Sequence, residues 1–363
     1  MKGRAPVRVR YGNFMKKNLV IVGYGGMGGW HADCALHSDV VNLLGVYDIK
    51  PERNELARSK GIFAYDSFEA VLADPKVDIV TVATPNEMHC PLICRVLEAG
   101  KNAISEKPVT LSSALLEKMI AASKKSGKIF TTHQNRRWDN EILGVKDIAA
   151  TGELGEIFNV ESRVHGSRGI PGDWRGEKEH GGGMLLDWGV HLIDQALFAF
   201  PGDPVVSVFA RFDHITNAEV DDGCRINLIF ESGMQYYVEV GTSNFIQLPR
   251  FYVQGTNGTA LIEDWGKPMK VVCCKNWEEK DVVPIKAASG ITKTMAPRDD
   301  KTITSFERPL PPSDWHDFYR NVVKAVDGIE PQLITHDQLR RVMKIMEASF
   351  ESDRTGEVVR GKI

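Results

Sequence analysis

No stretch of the chain is apolar for the roughly 18–20 residues that a membrane-spanning helix needs, so a transmembrane protein is not expected. Charge of one sign is lacking too. The chain has 45 Lys and Arg against 48 Asp and Glu, a net charge of −3, which favours neither nucleic acid nor an anionic membrane surface as partner. Cysteine is sparse and scattered, at Cys34, Cys90, Cys94, Cys224, Cys273 and Cys274. His89, Cys90 and Cys94 lack a second ligand pair at zinc spacing, so they read as a half-buried helix rather than a metal site, and no metal is expected. Reduced thiols of this kind point to a cytoplasmic setting. No internal repeat is present. Residues 1–15 are basic but carry no apolar core, which excludes a secretory signal, and they read as an upstream extension without a role in chemistry. What remains is ordinary globular composition, 42% apolar and 26% charged over 363 residues, a length that suggests two domains.

Residues 18–132 alternate short apolar runs with helical stretches. Strands are expected at 18–23, 42–48, 62–65, 78–83, 102–105 and 128–132, and helices at 28–38, 51–60, 67–73, 87–98 and 112–126. Near-continuous apolar strands between helices imply an α/β fold whose parallel sheet is covered on both faces. From about Trp138 the pattern changes. After a helix at 140–151, strands follow at 157–163, 205–212, 223–231, 234–241, 250–255, 259–264 and 269–274. Several alternate as Gln235–Val240 does, which argues for an α+β domain with an antiparallel or mixed sheet. Asn257-Gly258 is a hairpin signal. Residues 284–312 read as a long surface excursion. Helices are expected at 313–327, with Ser313-Asp314 as cap-type residues, and at 335–352. The division is then 16–137 for one domain and 138–363 for the other.

The first strand runs into Gly23-Tyr24-Gly25-Gly26-Met27-Gly28, a G-x-G-x-x-G turn that opens a helix. Gly23 suits the tight turn, Gly25 the close approach of backbone to a pyrophosphate, and Gly28 the packing of helix on strand. The N–H groups of the helix start, including Gly26 and Met27, then favour negative charge. Asp48 ends the second strand about 20 residues on, as a dinucleotide fingerprint requires. Its carboxylate suits the adenosine ribose hydroxyls and repels a 2′-phosphate, which favours NAD over NADP; Lys50 and Arg53 nearby temper that preference.

A second informative stretch is Gly181–Asp194, GGGMLLDWGVHLID. It reads as the start of a buried helix. Asp187 and His191, four apart, would stack on one face as a tuned proton acceptor, with Asp194 as further support for His191. The bland reading is a satisfied polar pair in an apolar helix, yet burying a charge costs several kcal/mol unless it is compensated.

Four blocks taken together, Gly23–Gly28, Thr84–His89, Glu106-Lys107-Pro108 and Gly181–Asp194, resemble the glucose–fructose oxidoreductase / inositol dehydrogenase / rhizopine catabolism family of NAD(P)-dependent oxidoreductases. The resemblance covers residues 16–361. It implies a Rossmann domain followed by an α+β domain with a large, open, mainly antiparallel sheet, and a homo-oligomer (dimer, tetramer or hexamer). By the same resemblance Thr84, Pro85, Asn86 and His89 line the nicotinamide half of the cofactor and Glu106 touches its ribose. Lys107 points at the reacting oxygen, and Asp187 and His191 form the D-x-x-x-H pair.

The chemistry expected is hydride transfer between NAD and a secondary hydroxyl of a sugar, sugar derivative or cyclitol. His191 serves as general base, Asp187 orients it, and Lys107 stabilises the alkoxide. Arg136, Trp138, His165 and Trp174 are candidates for holding the substrate, since aromatic faces beside hydrogen-bonding groups suit a sugar ring. His133, His180 and Trp188 are weaker candidates, and Arg136, Arg137, Arg168 and Arg175 leave a sugar acid open. Two rivals are an NAD-dependent glycoside-cleaving enzyme that oxidises its sugar only transiently, and a non-catalytic NAD-sensing regulator. Retention of Lys107, Asp187 and His191 weighs against the regulator. Which sugar and hydroxyl react, in which direction, and whether NAD is exchanged or retained are not legible in the sequence.

Overall fold

A computed structural model describes residues 15–278, 285–287, 289–292 and 297–363. The extension expected over residues 1–15 lies, except for an exposed Met15, outside the described residues. The chain divides into two compact units. One comprises residues up to 110 with 114–133 and 316–335; the other comprises 111–113, 134–315 and 336–363.

The first unit holds a parallel sheet of five strands, β1 (Lys17–Val22), β2 (Val41–Tyr47), β3 (Ile79–Val82), β4 (Asn102–Ser105) and β5 (Phe130–Thr132), in the order β2-β1-β3-β4-β5. Every residue of β3, β4 and β5 is buried, because helices such as His89–Glu98 and Ser113–Ser126 cover the sheet. Strand order reverses beside β1, and in such sheets the crevice at the carboxyl ends of the strands around that point takes the ligand. The strand expected at 62–65 is reduced to a single parallel bridge, Val46 with Ala64, so the segment adds an edge contact rather than a sixth strand.

The second unit is built on nine strands: β6 (Ile157–His165), β7 (Val205–Asp213), β8 (Gly223–Phe230), β9 (Gln235–Gly241), β10 (Phe251–Gly255), β11 (Gly258–Ile262), β12 (Met269–Cys274), β15 (Ile303–Arg308) and β16 (Val359–Arg360). A small separate hairpin, β13 (Ile285–Ala287) and β14 (Gly290–Thr292), lies between β12 and β15 in sequence. The order is β15-β12-β11-β10-β6-β9-β8-β7-β16, antiparallel except where β6 runs parallel to β9. Residues 284–312 are therefore not one surface excursion, since β15 extends the sheet through β12. One face carries Ala210, Ile226, Val238 and Val160, all buried, and the helix His336–Thr355 is tied to β7 through Ser352 Oγ and the Asp353 carboxylate. By strand alternation the opposite face carries a charged ladder in which Glu239 meets Arg163 at 3.1 Å and Arg225 at 3.5 Å. The helix expected from 313 begins at Asp317 with His316 at its N-cap position; Ser313 and Asp314 are not its cap. Among the described residues no helix is long and apolar enough to cross a membrane.

Candidate active site

In the first unit β1 leads through the glycine turn into the helix Gly26–Leu36. A Cβ on Gly28 would lie 1.8 Å from the Gly23 carbonyl oxygen, so only glycine permits this helix to pack on the turn. Gly25 and Gly26, by contrast, face open space, and the helix starts with neither a side-chain cap nor an acidic residue in its first turn. Half-buried Met27 lies in that turn. Uncapped N–H groups beside a cradle that a Cβ would fill are what a dinucleotide pyrophosphate requires, so these residues fit the cofactor. Asp48 stands beside the turn. Its Oδ2 accepts from the Tyr24 amide at 2.6 Å and its Oδ1 from the Lys50 amide at 2.9 Å, which fixes a carboxylate with lone pairs left for ribose hydroxyls.

Thr84 and Pro85 follow β3, and Asn86 begins a short turn that continues into the helix His89–Glu98. His89 is fully buried, with Nδ1 2.9 Å from the Pro108 carbonyl and Nε2 3.0 Å from the Thr84 carbonyl. It thus ties the segment after β3 to the segment after β4. Burial lowers its pKa, and the two carbonyls oppose that shift. Lys107 is half-buried and the Lys107–Pro108 peptide bond is cis. The Lys107 amide donates to Glu106 Oε2 at 2.9 Å, while Glu106 Oε1 lies 2.7 Å from His31 Nε2 and 2.8 Å from His133 Nδ1. Both carboxylate oxygens of Glu106 are thereby engaged inside the protein. Burial works against its charged form, but His133 and His31 outweigh that and hold the carboxyl well below the usual range.

In the second unit the segment around Asp187 is not a regular helix. Leu185–Gly189 form a π-helical turn that passes into the α-helix Val190–Ala199. Such turns occur often at functional sites. Asp187 Oδ2 accepts from Arg175 Nε at 3.1 Å, and Arg175 also pairs with Asp173 at 2.8 Å while its guanidinium covers the Trp174 ring at 4.7 Å. His191 is buried, its ring edge-on to Trp188 at 6.0 Å. The Arg136 guanidinium lies 4.1 Å from the Trp188 ring and pairs with Asp139 at 3.1 Å. Trp138, half-buried, precedes Asp139 on the same turn. His165, at the end of β6, accepts from the Leu248 amide at 3.3 Å through Nδ1, and its Nε2 lies 3.5 Å from Glu239.

Both oxygens of Asp194 are engaged by Arg137. Arg137 Nε and Nη2 donate to its two oxygens at 2.7 and 2.6 Å in a buried bidentate pair. That also removes Arg137 from the arginines available to a substrate carboxylate. The glycines before Asp187 approach the protein's own chain. Gly183 has φ of +107°, and a Cβ there would lie 2.2 Å from Asp221 Oδ1. Asp221 accepts the Leu185 amide at 2.7 Å on Oδ2 and the Met184 amide at 2.9 Å on its backbone oxygen, so it fastens the start of the turn that carries Asp187. Burial pushes its pKa up to about 7. Asp221, and the partnership of His31 and Tyr319 with Glu106, are what sequence reasoning missed. The one local signal was His31, three residues beyond Gly28 on the buried face of the helix with Ala32 and Ala35.

A dinucleotide cradle on a parallel sheet, followed by an α+β unit with a nine-stranded sheet, defines an NAD(P)-binding oxidoreductase. Residues 17–134 match the family described as an oxidoreductase family with NAD-binding Rossmann fold, and residues 142–261 match the GFO/IDH/MocA C-terminal domain. An NAD-binding protein from Listeria innocua has a crystal structure superposing with a TM-score of 0.91 at 44% identity, over 96% of this chain and 100% of that one. Among named enzymes, the scyllo-inositol 2-dehydrogenase (NADP(+)) of Bacillus subtilis is 25% identical over 92% of this chain and 93% of its own. The 1,5-anhydro-D-fructose reductase of Ensifer adhaerens is 29% identical over 61% of this chain and 68% of its own. The chain belongs to the Gfo/Idh/MocA family of oxidoreductases.

Proposed function

We propose that the protein is an NAD-dependent dehydrogenase acting on a secondary CH–OH group of a sugar, sugar derivative or cyclitol. The observation that carries the reading is the presence of Lys107, Asp187 and His191 in a family member whose glycine turn and Asp48 fit a dinucleotide. The names of the sugar and inositol oxidoreductases above support the substrate class. The fixed negative charge of Asp48 supports NAD over NADP, although one relative carries NADP in its name.

Gly23, Gly25, Gly26, Met27 and Gly28 would hold the pyrophosphate, Asp48 the adenosine ribose, and Thr84, Pro85 and Asn86 the nicotinamide side. When bound, the cofactor supplies the hydride acceptor. His191 takes the hydroxyl proton, since an imidazole titrates near neutral pH, and later releases it to solvent. Asp187 steadies the imidazolium, and its own orientation is set by Arg175. Lys107 donates to the substrate oxygen and stabilises the developing alkoxide. Arg136, Trp138, His165 and Trp174 are assigned to the substrate. A homo-oligomer is part of this reading, and six free thiols suit a reducing cytoplasm.

The test is turnover on a panel that includes scyllo-inositol, myo-inositol and other sugars with NAD, and 1,5-anhydro-D-fructose with NADH. His191→Ala should lower kcat by about 10²–10⁴-fold while leaving the Kd for NADH unchanged. Undiminished kcat in that variant, on any substrate the wild type turns over, ends the proposal.

A further inference from the structure

We propose that His31, His133 and Tyr319 are positioning residues that hold Glu106 as a buried anchor for the backbone of Lys107. The inference rests on the reading of Lys107 as the group that donates to the substrate oxygen, and it reassigns Glu106 from the cofactor to the protein interior.

Four separate segments converge on this carboxylate. His31 comes from the helix after the glycine turn, Glu106 follows β4, His133 follows β5, and Tyr319 belongs to the helix Asp317–Val326. All four side chains are buried. Their hydrogen bonds account for one another. The Tyr319 hydroxyl lies 2.6 Å from His31 Nδ1. If it donates, the His31 proton sits on Nε2, directed at Glu106 Oε1 2.7 Å away. His133 directs Nδ1–H to the same oxygen at 2.8 Å, and Oε2 is left for the Lys107 amide at 2.9 Å. Both imidazoles then direct an N–H at the same carboxylate oxygen. Although His31, Glu106 and His133 are of metal-ligand type, here one carboxylate oxygen bridges the two rings at hydrogen-bond distance.

Aromatic packing fixes the rings. His31 and His133 lie 4.4 Å apart between centroids, with Trp30 5.4 Å and Phe318 4.7 Å from His133. The strands on either side are also tied: Glu106 N donates to Val82 O at 2.9 Å, and His133 N donates to Ser105 O at 2.8 Å. Lys107 therefore starts from a backbone that is held before it by Glu106 and after it, at Pro108, by His89. A ribose ligand would need a reachable oxygen; the Glu106 side chain is 6% exposed, with two rings on Oε1 and the Lys107 amide on Oε2, which is the arrangement of an anchor.

The experiment uses the full chain with Glu106→Gln, Tyr319→Phe, His133→Asn, His133→Gln and Lys107→Met. Three quantities are read: kcat and KM on scyllo-inositol or 1,5-anhydro-D-fructose, the Kd for NADH by fluorescence, and the rate at which Lys107 is acetylated by acetic anhydride, followed by mass spectrometry. Glu106→Gln should lower kcat at least tenfold, leave the NADH Kd within twofold, and change Lys107 acetylation at least threefold. Tyr319→Phe, which removes one oxygen, should shift the same quantities in the same direction and so covers a failure of Glu106→Gln to fold. His133→Asn puts an amide N–H where Nδ1–H was and should retain most of kcat, whereas His133→Gln should not. A weakened NADH Kd at unchanged kcat would return Glu106 to the cofactor and overturn the proposal. So would unchanged kcat and unchanged acetylation in both Glu106→Gln and Tyr319→Phe while Lys107→Met is inactive. If Lys107→Met itself turns over normally, the catalytic reading fails first, and the two failures are thereby told apart.

Discussion

Asp194→Asn leaves the shape of the second unit almost untouched and removes one charge, so it isolates what the Arg137–Asp194 pair does. The two side chains are 4% and 2% exposed and meet through two bonds of 2.7 and 2.6 Å. The guanidinium also donates through Nη1 to Gln338 Oε1 at 2.9 Å and lies over Phe198. With Asn at 194 the guanidinium stays buried without its counter-charge, and one acceptor becomes an NH₂ that faces another donor. Breaking a buried pair in this way costs about 3–5 kcal/mol, whereas replacing both partners by apolar groups of similar volume is often close to neutral. At about 2–4 °C per kcal/mol for units of this size, the single variant should melt roughly 6–20 °C lower. The assay is the melting temperature of Asp194→Asn together with a double-mutant cycle of Arg137→Met, Asp194→Leu and the pair, by urea unfolding monitored through tryptophan fluorescence. The double variant should be more stable than either single one. Single variants within about 1 kcal/mol of wild type, or a double variant that loses the sum of both, would refute the reasoning.

Asp221 predicts a pH dependence of stability. Its folded pKa, about 7, lies above its ordinary 3.8, so between those values the folded state holds a proton that the unfolded state has lost, and stability falls as pH rises through that window. At about 1.4 kcal/mol per pH unit the loss is about 4–5 kcal/mol and is complete above pH 7. Asp221→Asn, which keeps an acceptor for the Leu185 amide, should flatten the urea midpoint between pH 4.5 and 7.5; an unchanged slope contradicts the assignment. Asp48→Ser removes the charge beside the glycine turn and should raise the ratio of kcat/KM for NADP to that for NAD about tenfold or more, the scale of one charged hydrogen bond. A ratio that does not move would take Asp48 out of cofactor selection.

The parallel strands were legible because burial on both faces writes them as continuous apolar runs; 79–82 and 102–105 have no exposed residue. β15 was not, because Thr304–Glu307 are all exposed on an edge strand and leave no pattern of burial to read. The π turn was hidden for a different reason: Leu185–Gly189 would read the same in an α-helix, and the choice depends on Asp221, 36 residues later in the chain. The glycine turn and Asp48 were legible as a unit, since one strand, one turn and one following strand build them. The partners of Glu106 were not, since His31, His133 and Tyr319 lie far from it in sequence and share no period with it.

What those hidden contacts have in common is a side-chain carboxyl group that accepts donors of the protein itself. Glu106 takes the amide next to the Lys107 side chain, Asp221 takes the first amide of the turn that bears Asp187, and Asp194 clamps the helix that bears His191. Apolar packing holds elements together, but it is non-directional and leaves small rotations of a helix or strand end inexpensive. A carboxylate with two or three short donors fixes both distance and angle, and it can draw those donors from segments with no local relation. The cost of burying its charge is met only when every donor is present, so loss of one donor disturbs orientation before it disturbs the fold. Substitution at Glu106 should consequently lower turnover out of proportion to the stability it removes, whereas truncations in the strands of β3 and β4 should do the reverse.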